Sequence, residues 1–236
     1  MSKNINCNEC NSIVCLIKQH CLPIWIKKIE LNKIQREYKA GDSIFREGDR
    51  IYGIYIILHG NVKVVISMGI NNKDQIVRLA ANGHILGHRG YGGEKYPVSA
   101  MALSDITVCF IDNDSFYDIC INNPQFTIEM TMFYSRELRK AEIRIKYLAQ
   151  MSAREKIAEV LLYQKDVFGM GEKNKNLNVC LSRLEIADMA GTTTTQVNKE
   201  LRLFEEEKLI DKQGKETIRM INIPGLENII SNYNIK

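Results

Sequence analysis

The chain has 236 residues, 45% of them hydrophobic, and a formal net charge of +4. That length and apolar content suffice for two modest cores, and no run of about 18 apolar residues is present to cross a bilayer. The first residues carry cysteines and charges rather than an apolar leader, so a cytoplasmic protein without a membrane partner is expected. Residues 151–236 hold 13 basic and 13 acidic side chains. Charge alone therefore does not argue for nucleic acid, and any such case has to rest on pattern.

In chain order, the first signal is thiol clustering. Four of the seven cysteines lie within the first 21 residues, as Cys7-x-x-Cys10, Cys15 and Cys21-Leu22-Pro23. A chain in reducing surroundings has little reason to gather thiols unless they bind metal or change redox state. Thiolates are soft donors suited to iron–sulfur clusters or zinc. Thiol–disulfide chemistry and no ligand at all are the other readings.

From Tyr38 to about Ile111 short β-prone runs follow: Ser43–Phe45, Gly53–Leu58, Asn61–Ile66, Gln75–Ala80 and Ile106–Ile111. Turn signals fall at Gly41-Asp42, Gly48-Asp49, His59-Gly60-Asn61, Asn71-Asn72 and Asn82-Gly83. This spacing predicts a sandwich or jelly roll. Gly90-Tyr91-Gly92-Gly93 reads as a flexible loop of the roll. Cys109, in Val108-Cys109-Phe110-Ile111, reads equally as a small core residue or as a ligand, and Cys120 and Cys180 as packing residues.

Between Asp114 and Gln150 the pattern turns helical. Tyr134, Leu138, Ala141, Ile145 and Leu148 recur at alternating spacings of four and three, an a/d seam suited to pairing with an identical helix. The alternative is a helix packed on its own domain. The stretch Leu181–Leu201 then predicts two short helices around a tight turn. Ile186, Ala187 and Ala190 form a small apolar face, Gly191 supplies a positive φ, and the threonines open a second helix with Val197, Leu201 and Phe204 inward. This is the spacing of a DNA-binding helix-turn-helix. After it, two β-prone runs around Gly214, extending to Ile223, predict a hairpin wing whose Lys212, Lys215 and Arg219 could touch phosphate.

A β-roll, a pairing helix and a winged helix, in that order, resemble the Crp/Fnr family of bacterial transcription regulators over nearly the whole chain. The resemblance is carried by Gly41-Asp42-x-Ile44-Phe45-x-Glu47-Gly48-Asp49, Leu58-x-Gly60-x-Val62-Lys63-Val64, Gly83-x-Ile85-Leu86-Gly87, Tyr96-Pro97-Val98-Ser99-Ala100 and the helix-turn-helix with its wing. It implies an α+β chain with a cysteine-rich arm (1–22), a cyclic-nucleotide-binding-like β jelly roll (23–125), a long dimerisation helix (126–150) and a winged helix-turn-helix (151–236). It also implies a homodimer on a double-stranded operator, an effector sensed in the N-terminal half, and RNA polymerase as a protein partner.

Family members that bind cyclic AMP carry Glu just after a Gly of the roll, and Arg before Ser-Ala. His88 and Val98 stand there, so cyclic AMP is disfavoured: a buried phosphate beside Val98 would lack its charge-assisted partner unless Arg89 or Lys95 supplied one. His88 is expected to be a polar loop residue. The cysteines instead resemble those of the Fnr-type oxygen sensors, which implies a [4Fe–4S] cluster. Cys7, Cys10, Cys21 and Cys109 form one ligand set; Cys15 could replace a member, and four N-terminal thiolates without Cys109 are another set.

On the second helix, Thr193, Thr194, Thr195, Gln196, Asn198, Lys199 and Arg202 are the candidate DNA contacts. Family members commonly have Glu and Arg where Thr195 and Lys199 stand, so a different and more A/T-rich half-site is expected, read by Gln196 or Asn198. Glu200 occupies a position the motif often fills with an apolar residue. No Ser/His/Asp constellation, phosphate-cradling glycine loop or His-x-x-x-His pattern argues for an enzyme. A sensor or adaptor without DNA, or a regulator sensing a small molecule without metal, are the competing functions.

Overall fold

The computed structural model describes residues 5–10, 12–68, 73–171, 175–213 and 217–233. They form two compact units, one drawn from 1–67 and 78–139, the other from 68–77 and 140–236. Asn71, Asn72, Gly214 and Lys215 lie outside the described residues.

The first unit opens with two short helices, α1 (Leu16–His20) and α2 (Pro23–Asn32), Pro23 standing in the first turn, where its missing N–H costs nothing. The roll follows as β1 (Ile34–Tyr38), β2 (Ser43–Phe45), β3 (Gly53–His59), β4 (Val62–Met68), β5 (Lys73–Ala80), β6 (Ile85–Leu86), β7 (Ser99–Ala102) and β8 (Ile106–Asp112). Two sheets run in the orders β1-β8-β3-β6 and β2-β7-β4-β5. Strand β3 is buried for five of its seven residues, as its unbroken Gly-Ile-Tyr-Ile-Ile run requires of a central strand. The sequence reading missed β1, whose Gln35-Arg36-Glu37 centre has no apolar alternation. It is an edge strand held by its ladder to β8, from Ile34↔Phe110 to Tyr38↔Ile106. Helix α3 (Asn113–Asn122) is capped by Asp112, whose carboxylate accepts from the Ser115 N–H at 2.8 Å. Helix α4 (Pro124–Gln150) begins in this unit, where Phe126 and Met130 join a core with Ile54, Ile56, Ile111, Phe116 and Ile119.

Along α4 the seam is largely exposed, although the Tyr134 hydroxyl donates to the His88 carbonyl at 2.8 Å. Tyr134 is 37% exposed, Leu138 63% and Ile145 67%. Only Leu148 among the last three is half-buried.

The second unit is built on α5 (Ala153–Phe168), α6 (Arg183–Ala190) and α7 (Thr194–Glu206). Reciprocal capping boxes, Ser152 with Glu155 and Ser182 with Glu185, fix where α5 and α6 begin. A hairpin of β9 (Ile210–Gln213) and β10 (Thr217–Met220) pairs from Ile210↔Met220 to Gln213↔Thr217. The apolar run expected to continue to Ile223 stops at Met220. Asn222 caps α8 (Ile223–Ile229) by accepting from the Gly225 N–H at 2.9 Å. Residues 175–177 run along β10 as well: the Leu177 N–H donates to the Ile218 carbonyl and the Met220 N–H to that of Lys175, both at 3.0 Å. The wing thus has a third line of backbone that the sequence reading did not anticipate. Among the described residues no helix is long and apolar enough to cross a membrane.

Candidate nucleic-acid interface and cysteine site

Helices α6 and α7 meet through Ile186, Ala187, Ala190, Val197, Leu201 and Phe204, all buried. Between them Gly191 takes φ +59, and Thr193 caps α7 by accepting from the Gln196 N–H at 3.2 Å. A Cβ at Gly191 would lie 3.2 Å from the Leu148 side chain, so conformation and space both favour glycine. Arg144 of α4 steadies this turn: one guanidinium nitrogen donates to the Met189 carbonyl at the end of α6, another pairs with Glu159 at 2.5 Å. Burial pushes the Glu159 carboxyl up and Arg144 opposes that shift.

The candidate contacts divide by how they are already engaged. Thr193, Thr195, Asn198 and Lys199 are exposed and Thr194 half-buried. Among the described residues none of Thr194, Thr195, Asn198 and Lys199 is committed to another side chain of the chain. The others carry their own carboxylates. Arg202 pairs with Glu206 at 2.8 Å, and Lys212 of β9 with Glu205 at 2.7 Å. The Gln196 amide donates to Glu200 at 2.9 Å. Arg219 is an exposed side chain of β10. Glu200 faces inward, 5% exposed, with Arg154 of α5 3.7 Å away. Arg154 also pairs with Glu207 at 2.6 Å and lies over the Phe204 ring at 4.8 Å. Sequence reasoning did not find this cluster, although Glu200 at an apolar position was its visible trace.

In the first unit, four of the five candidate cysteines, Cys7, Cys10, Cys15 and Cys109, line one cavity with Ile17, Ile29, Ile56 and Lys33. The arm reaches it by crossing the β5–β6 turn at Gly83, where a Cβ would lie 2.2 Å from Val14. Cys109 arrives from the middle of β8, between Gln35 of β1 and Ile56 of β3. The buried Lys33 ammonium donates to the Ile5 carbonyl at 2.8 Å and to the Cys7 sulfur at 3.1 Å. The Gln35 amide donates to Cys109 at 3.7 Å. Cys21 does not line the cavity. It packs against the apolar core, as do Cys15, Cys109 and Cys120. Burial pushes Cys21 up to about 12 and Cys109 up to about 11, and raises Cys15. Apolar surroundings therefore favour the protonated thiol form of these sulfurs. The donor chemistry fits a thiolate-held group, and one cavity serves four of the sulfurs. Among the described residues, no three ligand side chains are drawn together around a point.

The roll's own pocket is small. It is lined by Phe45, Arg78, Gly87, His88, Arg89, Tyr96 and Val98 among others. Tyr96 stacks on Phe45 at 4.2 Å and donates to the Gly53 carbonyl at 2.7 Å. His88, expected as a polar loop residue, is instead 2% exposed, set edge-on to Phe133 at 5.0 Å. Burial, with the charge of Arg78 adding to it, lowers its pKa to about 3, and neither ring nitrogen has a hydrogen-bond partner of good geometry. Beside it Glu137 of α4 faces Arg78 at 3.2 Å and Arg89 at 3.7 Å. Lys95, the other cation considered for an anion here, lines a separate open depression with Arg50 and Glu94.

Comparison with known proteins identifies the two folded parts that carry these residues. Residues 35–123 match the family profile of the cyclic nucleotide-binding domain, and residues 155–229 that of the Crp-like helix-turn-helix domain. The chain is 26% identical over 216 residues to the transcriptional activator protein Anr of Pseudomonas protegens, covering 89% of this chain and 88% of that protein. It is 24% identical over 231 residues to the transcriptional activator protein FnrA of Stutzerimonas stutzeri, covering 95% and 92%. The solved structure of FixK2 from Bradyrhizobium japonicum has the same fold, with a TM-score of 0.75 and 21% identity over 84% of this chain and 96% of that one. With the roll, the helix-turn-helix and its wing all in place, the chain belongs to the Crp/Fnr family of DNA-binding transcription regulators.

Proposed function

We propose that this regulator works as a cytoplasmic homodimer on a two-fold-related operator and takes a redox signal through its N-terminal cysteines. Cys7, Cys10, Cys15 and Cys109 are the residues that would hold an iron–sulfur cluster, and their shared cavity carries the reading. When bound, such a cluster supplies oxygen- or redox-sensitive lability. The chain's own contribution is to bring the arm across the roll, exclude water with Ile17, Ile29 and Ile56, and place the buried Lys33 cation against the sulfurs. Pairing is supported by the seam of Tyr134, Leu138 and Ile145, exposed along α4. RNA polymerase is the protein partner the family resemblance implies.

Cyclic AMP is not the signal on this reading. Val98 offers no charge to a phosphate, and the two arginines at the pocket, Arg78 and Arg89, already face Glu137.

Anaerobic reconstitution with iron and sulfide tests the cysteine assignment. Cys109→Ser is expected to cost more cluster retention than the roughly 10–100-fold typical of outer-shell changes, whereas Cys21→Ser keeps its iron and acid-labile sulfide. Equal loss from both variants, or no iron in the parent, would reject the set.

On the DNA side, Lys199 is exposed and uncommitted near the middle of α7, so Lys199→Ala is expected to cost about 1–3 kcal/mol of specific operator binding. Titration of a selected operator at fixed salt reads this directly. An unchanged affinity would move the base contact elsewhere on the helix.

A further inference from the structure

We infer that Glu200 is a positioning residue that orients the Gln196 amide so that this point of the recognition helix selects an amino-bearing base, adenine or cytosine, in each half-site. The inference rests on the operator-binding reading above and adds the chemistry of one contact to it.

Gln196 is the third residue of α7, in the N-terminal turn from which a recognition helix reaches base edges. Its amide nitrogen donates to Glu200 Oε1 at 2.9 Å, one helical turn on. A carboxylate only accepts, so the amide cannot be turned round at this contact: nitrogen faces the buried Glu200, and the carbonyl oxygen is directed away from it. Glu200 is itself held in place. It is 5% exposed, its Oε2 is buried without a hydrogen-bond donor, and the Arg154 guanidinium faces that atom at 3.7 Å. Arg154 in turn is fixed by Glu207 and by the Phe204 ring. The amide plane is thereby set from the protein side before any DNA arrives.

An outward carbonyl oxygen has definite preferences in the major groove. It repels phosphate oxygens, so this edge of Gln196 is unsuited to backbone contact. It accepts from adenine N6 or cytosine N4, and it meets oxygen at guanine O6 and thymine O4. The second amide hydrogen stays available, so adenine can be engaged at N7 as well. A free glutamine could reverse its amide and donate to guanine O6 or thymine O4. The Glu200 tether removes that option.

The test uses the full-length protein with an operator selected from random duplexes, followed by all four bases at each position of one half-site. The parent is expected to show one position that prefers adenine or cytosine over guanine and thymine by roughly tenfold. Glu200→Leu reduces that preference to within about twofold while other positions keep theirs, since only the Gln196 orientation is released. Gln196→Ala removes the same preference, and adding Glu200→Leu to it changes nothing further. Glu200→Gln preserves volume and can offer either amide edge, so it relaxes the same position should the leucine variant fold poorly. A preference that survives Glu200→Leu and Glu200→Gln, or survives Gln196→Ala, overturns the inference while operator binding stands. A parent that shows no preference among duplexes overturns both.

Discussion

Replacing Leu138 and Ile145 together by glutamate is expected to abolish specific operator binding while each protomer stays folded. Both side chains are well over half exposed, 63% and 67%. Substitution removes no packing from the protomer's own core and should change its stability by no more than about 0.5 kcal/mol. In a parallel pair of α4 helices each would instead sit against its own copy. Four carboxylates would then line a seam meant to be dry, with like charges face to face. A monomer engages one half-site and keeps little beyond backbone attraction. Specific binding typically exceeds non-specific binding by about 10³–10⁷-fold, so a loss of at least about 10³ is expected at fixed salt. Analytical ultracentrifugation reads the association state, and titration of a two-fold-related duplex against a half-site duplex reads the affinity. A double variant that still sediments as a dimer and binds the full operator as the parent does would remove α4 as the pairing element.

What could be read from the sequence was what local chemistry determines. Thr193, Gly191 and the Ile186–Ala187–Ala190 face specify the helix-turn-helix within some twenty residues, and each took its expected place. The strands from β2 to β5 and β8 were legible because apolar runs alternate with glycine turns. Strand β1 was not, because its pairing with β8 spans about seventy residues and its own side chains are polar. The cysteines could be counted but not sorted. That Cys15 and Cys109 share a cavity, and Cys21 does not, depends on how the arm passes over Gly83. His88 was misread for the same reason: the residues that bury it, Phe133 and Tyr134, lie on α4. At the DNA interface, exposure was predictable but pairing was not. The sequence shows an acidic run at Glu205–Glu207 without revealing that it engages Lys212, Arg202 and Arg154.

Glu137 is the sharpest case of a residue whose role is invisible in sequence, and its replacement should destabilise the first unit severely. In Ser-Arg-Glu-Leu-Arg-Lys it reads as one more surface charge. In the folded chain it is 9% exposed, its carboxylate 3.2 Å from Arg78 of β5 and 3.7 Å from Arg89. Arg78 is itself 7% exposed and spends another nitrogen on the Ile85 carbonyl at 2.9 Å. Glu137→Leu would therefore withdraw the carboxylate from two guanidinium groups, one of them fully enclosed. Breaking a buried pair from one side costs about 3–5 kcal/mol. The neighbouring His88 cannot compensate, since a ring with a pKa near 3 is uncharged at neutral pH and has no negative form to offer. The only tryptophan of the chain, Trp25, packs at the edge of this unit's core, so its fluorescence in urea reports the unit directly. The midpoint should fall sharply for Glu137→Leu. It should recover most of the loss in Glu137→Leu combined with Arg78→Met, because exchanging an entire buried pair for apolar groups of similar volume is close to neutral. A single variant as stable as the parent would mean that water reaches this cluster and that α4 is held to the roll by its apolar contacts alone.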